Sequence, residues 1–194
     1  DNQLTALPPA IENLTNLTML DLDGNQLYTL PPEIGSLTNL TELRIDGNQI
    51  YALPPEIGNL ADLTSLDLDN NRLTGLPLEI GNLTDLKTLR LDSNRIYALP
   101  PEIGNLTGLD SLHLNDNQLT TLPPEIGNLT NLTEMFLERN KLTTLPSEIG
   151  NMAELYHVGV EGNQLRELPP QLDATGIDVS GQVFPSEPEA DAQI

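Results

Sequence analysis

Leu86-Lys87-Thr88-Leu89-Arg90-Leu91-Asp92-Ser93-Asn94-Arg95-Ile96-Tyr97-Ala98-Leu99-Pro100-Pro101-Glu102-Ile103-Gly104-Asn105-Leu106 is a stretch that the chain repeats, with substitutions, from end to end. Its skeleton is L-x-x-L-x-L-x-x-N-x-L, followed by the spacer L-P-P-E-I-G-N-L. The asparagine recurs at Asn2, Asn25, Asn48, Asn71, Asn94, Asn117, Asn140 and Asn163, always 23 residues after the one before. The first complete copy reads Leu17, Leu20, Leu22, Asn25, Leu27. The seventh reads Leu155, Val158, Val160, Asn163, Leu165. One structural unit has been copied in register from Asn2 to about Leu172.

The alternation Leu-x-Leu is the period of a strand with one buried face. A strand so short cannot bury its leucines alone. Stacking successive copies as parallel strands ~4.8 Å apart turns 39 leucines into one continuous core. The asparagine is placed where the chain leaves the strand, so the ladder Asn25, Asn48, Asn71, Asn94, Asn117, Asn140, Asn163 is expected to turn inward and satisfy backbone groups. A buried amide left unpaired would cost ~1–3 kcal/mol. In the spacer, proline suits the first turn of a short helical segment. Glu33, Glu56, Glu79, Glu102, Glu125 and Glu148 follow at its positive end. Gly35, Gly58, Gly81, Gly104, Gly127 and Gly150 read as residues for its exit.

This pattern resembles the leucine-rich repeat family, in particular the subclass with an L-P-x-x-I spacer and a 23-residue period. Ras-pathway scaffold proteins, plant intracellular Ras-group proteins and many bacterial repeat proteins share that pattern. The resemblance covers Asn2 to about Leu172. It implies an α/β repeat solenoid: a horseshoe with a parallel concave sheet and a convex side of short 3-10, helical or extended segments. The leucine-rich repeat domain then spans residues 1–184, with a partial first repeat, seven complete repeats and a shortened terminal strand over 176–184. There Ile177-Asp178-Val179 reads as the Leu-x-Leu, Gln182 as the asparagine and Phe184 as the leucine after it. Residues 185–194 read as an acidic disordered tail or linker. The repeat column opens without a cap, so a preceding segment is expected in the natural protein.

Composition narrows the function. Eight Lys and Arg stand against 29 Asp and Glu, a formal charge of −21. That opposes nucleic-acid binding, which needs clustered cations, and docking on anionic membranes. There is no cysteine, hence no disulfide and no thiolate chemistry. No apolar run approaches the ~18 residues of a membrane span, so membrane insertion is not expected. The resemblance implies cysteine caps in secreted eukaryotic members; their absence here favours the cytoplasm, with bacterial export left open. Asn-Leu-Thr at Asn13, Asn16, Asn39, Asn82, Asn105, Asn128 and Asn131 reads as a duplicated consensus rather than as glycosylation acceptors.

The working surface should be the concave face, where outward strand residues align in columns. One column carries Asp23, Asp46, Asp69 and Asp92, an acidic ladder whose repulsion calcium could relieve; Arg44 and Arg90 stand in the next column. Toward the C-terminal half, His113, Phe136, Arg139, Lys141 and His157 form a candidate hot spot, an aromatic ring among cations on an otherwise acidic face. Tyr28, Tyr51 and Tyr97 supply a third column, offering rigid contact area or covering neighbouring leucines. Ser111 and His113 share a face, but two strand rises separate them by ~6.6 Å, beyond hydrogen-bond reach unless they bend together. The chain therefore reads as a non-enzymatic protein-interaction module. Its concave surface, with Arg44, Arg90, the hot spot and the tyrosines, would meet a protein or peptide of positive charge. The alternative is an acidic structural or surface protein that binds calcium, or is adapted to salt, through its Asp ladder.

Overall fold

The computed structural model describes residues 2–170, 172 and 178–180. Each repeat contributes one three-residue strand: β1 (Met19–Asp21), β2 (Glu42–Arg44), β3 (Ser65–Asp67), β4 (Thr88–Arg90), β5 (Ser111–His113), β6 (Glu134–Phe136), β7 (His157–Gly159) and β8 (Asp178–Ser180). They form one parallel sheet in sequence order. Pairing is in step with the repeat: Leu20, Leu43, Leu66, Leu89, Leu112, Met135 and Val158 lie side by side. The sheet is thus the concave face of a leucine-rich solenoid. The opposite side is a row of 3-10 turns, from Pro9–Asn13 to Ser147–Asn151. Between the two layers the leucine column is sealed: Leu43, Leu66, Leu89 and Leu112 are all fully buried, as are Ile34, Ile57, Ile80, Ile103 and Ile126 from the turns. Each such side chain contributes ~1.5–3 kcal/mol of hydrophobic stabilisation.

The asparagine ladder ties repeats together. Asn94 Oδ1 accepts the backbone N–H of Leu73 in the previous repeat at 2.9 Å. Its Nδ2 donates to Leu68 O at 2.9 Å and to Leu91 O at 3.1 Å. One amide therefore closes its own turn and staples it to its neighbour. Asn48, Asn71, Asn117 and Asn140 repeat the arrangement, with Asn163 the same but less buried.

Two sequence readings change. The spacer glycines do not serve a left-handed exit, since positive φ among glycines occurs at Gly24, Gly47 and Gly162 instead. A Cβ on Gly58 would lie 2.5 Å from Glu79 O, and one on Gly127 2.5 Å from Glu148 O. These glycines let the next turn press directly on the backbone. At the C-terminal end, β8 puts Val179 beside Val158 and Asp178 beside His157. The sequence reading put Ile177 there, two residues earlier. A slip of two keeps the inward and outward faces unchanged, which is why alternation alone could not detect it. Ile177, Gln182, Phe184 and the segment 185–194 lie outside the described residues. Among the described residues no helix is long and apolar enough to cross a membrane.

Candidate functional site: the concave sheet and its turns

The middle column of the sheet reads Asp21, Arg44, Asp67, Arg90, His113, Phe136, Gly159. In its first half, opposite charges alternate and are drawn together. Arg44 meets Asp23 at 3.2 Å, and Arg90 meets Asp69 at 3.1 Å and Asp67 at 3.6 Å. Both candidate partner-binding arginines are thus engaged with the chain's own acids. Partial burial still pushes the Asp23, Asp67, Asp69 and Asp92 carboxyls above the ordinary carboxylate range.

The Asp ladder has a backbone role. Asp23 Oδ1 accepts the N–H of Asp46, Asp69 Oδ1 that of Asp92, and Asp92 Oδ1 that of Asn115, each at 2.7 Å. Asn115 Oδ1 continues the series to the N–H of Glu138 at 2.8 Å. Asp46 instead accepts the side-chain amide of Asn70. Calcium needs six to eight converging oxygens. Here the ladder carboxylates are spread one per repeat, with Asp23, Asp69 and Asp92 turned toward backbone donors and Asp46 toward the Asn70 amide. Among the described residues no group of three or more Asp, Glu or His side chains is placed to hold a metal ion.

The predicted hot spot separates into two parts. His113, Phe136 and His157 do come together. The His113 and Phe136 rings stack at 4.7 Å and 23°, and His157 stands 5.3 Å from Phe136, tilted by 49°. Burial lowers the pKa of His113, which favours the neutral ring. Ser111 and His113 bend together after all, with Oγ and Nε2 2.9 Å apart. Arg139 and Lys141 lie elsewhere, on the turn after the strand. Arg139 occupies the turn's left-handed position, with φ of 53°, where other repeats use Gly24, Gly47, Asn70, Ser93 or Asp116. Its guanidinium grips both oxygens of Asp116 at 2.6 Å and holds that carboxyl below its usual range. Lys141 reaches Gln118 Oε1 at 3.5 Å.

Tyr28, Tyr51 and Tyr97 lie past the asparagine turn, off the strands, with 49%, 55% and 62% of their surface exposed. They form a flank separate from the ring stack. Two residues outside the predicted set complete the site. Gly159 leaves the middle column without a side chain beside Phe136, and Glu138 folds its carboxylate over that gap. A glycine within a strand was the available signal, since it marks a close approach.

The family model described as "Leucine-rich repeat region" matches residues 1–71 and 78–166, and a single-repeat model matches 62–83. The chain belongs to the leucine-rich repeat family. No curated protein matches it. Among solved structures, a leucine-rich repeat protein of Leptospira interrogans is 38% identical with a TM-score of 0.80; the match covers 94% of this chain and 54% of that one. The ectodomain of the Arabidopsis thaliana receptor kinase GASSHO1/SCHENGEN3, in complex with CASPARIAN STRIP INTEGRITY FACTOR 2, is 35% identical with a TM-score of 0.80, over 92% of this chain and 23% of that one. The plant peptide hormone receptor RGFR1 in complex with RGF2 is also 35% identical, with a TM-score of 0.79, over 89% of this chain and 29% of that one. This leucine-rich repeat chain therefore spans about half or less of the length of these relatives.

Proposed function

We propose that this leucine-rich repeat chain is a non-enzymatic interaction module whose concave sheet receives a protein or peptide of net positive charge. The observation that carries the reading is the half-buried ring stack His113–Phe136–His157, set on a rigid strand ladder within an acidic surface. Aromatic rings on a fixed frame give contact area at little entropic cost. The −21 charge would steer a cationic partner toward the face. Two of the solved relatives are described in complexes, one of them as a peptide hormone receptor. The Ser111–His113 pair does not favour hydrolysis. Among the described residues no carboxylate is bonded to the other ring nitrogen of His113, and the pair lies on a sheet face rather than in a cleft.

The test is a pull-down with the purified chain beside a variant carrying His113→Ala and Phe136→Ala, with contacts mapped by cross-linking. A partner captured by the first bait, lost by the second and released progressively between ~0.05 and ~0.5 M salt supports the reading. Equal capture by both baits, insensitive to salt, would overturn it.

A further inference from the structure

We propose that Glu138, seated over Gly159 beside Phe136, is the anchor for an arginine side chain of the partner, a reading that rests on the interaction module proposed above. Glu138 has left the structural series to which its column belongs. Asp23, Asp69, Asp92 and Asn115 each accept the next repeat's backbone N–H. The Glu138 carboxylate instead lies on the strand surface, where a Cβ on Gly159 would stand 2.5 Å from its Cδ and 2.7 Å from its Oε2. The gap is therefore shaped by the absence of a side chain at Gly159. Glu138 Oε2 is shielded from solvent there and has no hydrogen-bond partner. A shielded carboxylate oxygen without a donor is costly, and a donor brought by a partner would remove that cost.

Among the described residues none supplies the donor. Arg139, one residue away, is held at two points by Asp116. Of the neighbouring donors, the Tyr156 hydroxyl is bonded to Glu134 at 2.7 Å, and His157 Nδ1 faces Asp178 at 3.4 Å. The Phe136 ring is stacked by His113, whereas its contact with His157 is tilted rather than stacked. A guanidinium suits this geometry better than an ammonium. It is planar, stacks on a ring, and presents a two-pronged donor edge to a carboxylate. On binding, the Glu138 carboxylate would turn out of the gap and close over the incoming group, a rotamer change of the kind common at interfaces.

The experiment is a ¹⁵N NMR titration of the whole chain with N-acetyl-arginine amide, beside the uncharged N-acetyl-citrulline amide. Saturable shifts are expected at the amides of Glu138, Arg139 and Gly159 with the first compound and none with the second. Glu138→Gln should weaken the arginine titration about tenfold while the rest of the spectrum is kept. Gly159→Ala, which drives the Glu138 carboxylate from its shielded seat but leaves its charge, should weaken it, because no shielded oxygen is then relieved on binding. Shifts of equal affinity in Glu138→Gln, or spread evenly over Asp23, Asp46, Asp69 and Asp92, would overturn the anchor. If the titration fails while partner capture still depends on His113 and Phe136, the anchor falls alone. If capture fails as well, the interaction reading falls with it.

Discussion

Along the middle column the first four strands carry Asp21, Arg44, Asp67 and Arg90, whereas the next three carry His113, Phe136 and Gly159. The frame beneath is the same. Leu43 and Leu66 in the first half, and Leu112 and Met135 in the second, are all fully buried, and asparagine staples run through both. The first half uses its charges on itself, pairing Arg44 and Arg90 with the acids of the neighbouring column. The second half replaces that pairing with a ring stack and leaves a shielded carboxylate oxygen without a donor. A repeat solenoid thus separates two requirements that a globular core usually entangles. Inward positions hold the fold, and outward positions can be self-satisfied in one region and kept for a partner in another.

The sharpest way to break this comparison is to test whether the frame is uniform. Leu89→Ala in the first half and Leu112→Ala in the second remove equivalent, fully buried side chains. Each should cost about 2–5 kcal/mol in urea unfolding, and the two should agree within about 1 kcal/mol. A larger gap would mean that the halves differ in their core and not only in their surface.

A smaller effect probes the self-pairing. Arg90→Ala removes the cation shared by Asp67 and Asp69, leaving two partly buried carboxylates to face each other. The expected loss is about 1 kcal/mol, growing at low salt. Arg139→Ala breaks a pair at an exposed turn and should cost less, although its contacts with Asp116 are shorter. Because Arg139 also sits in the left-handed region, Arg139→Gly relieves that conformation and should recover much of the loss. Equal costs for Arg90→Ala and Arg139→Ala would contradict the distinction between a self-neutralised half and an independent turn pair.

The sequence carried the frame well because the period of 23 and the Leu-x-Leu alternation are dictated by burial, which tolerates little change. The asparagine ladder was legible for the same reason. What could not be read depended on distances between copies. The spacer glycines answer to the pressure of the next turn on the backbone, a contact between residues 21 positions apart, such as Gly58 and Glu79. The shift of β8 by two residues followed a spacer shortened at its end, and alternation is blind to such a slip. On the surface, His113, Phe136 and His157 were legible as a group because they break the repeated pattern. Arg139 and Lys141 were grouped with them by proximity in sequence, and the turn carries both away. Glu138 was hidden because its column is acidic at every position but Asn115. Its carboxylate seat over Gly159, and its lack of the backbone N–H that Asp69 and Asp92 accept, show only in the geometry.

The smallest effect sharpens the comparison through pH. Desolvation holds Asp23, Asp67, Asp69 and Asp92 above the usual carboxylate range in the folded chain. The folded state therefore binds protons more readily at these groups than the unfolded state does. Their contribution to stability is full below the unfolded value near 3.8 and is lost as pH rises through the raised folded values. His113 works in the other direction. Burial lowers its folded pKa, so its contribution is present above the unfolded value of 6.5 and is lost as pH falls through the folded one. Acidification from neutral pH toward pH 4 should thus stabilise the first half through its carboxyls and weaken the second through His113. Relief of the −21 charge stabilises the whole chain at the same time, so the wild-type profile alone does not separate the halves. Variants do. Asp69→Asn keeps an oxygen for the Asp92 N–H and should flatten the gain on acidification. His113→Gln should steepen it below pH 6.5, because the loss it removes no longer opposes the gain. Urea midpoints measured at half-unit pH steps would show both. Profiles that stay parallel to the wild type in either variant would place the pH dependence in the overall charge and remove the electrostatic distinction between the two halves.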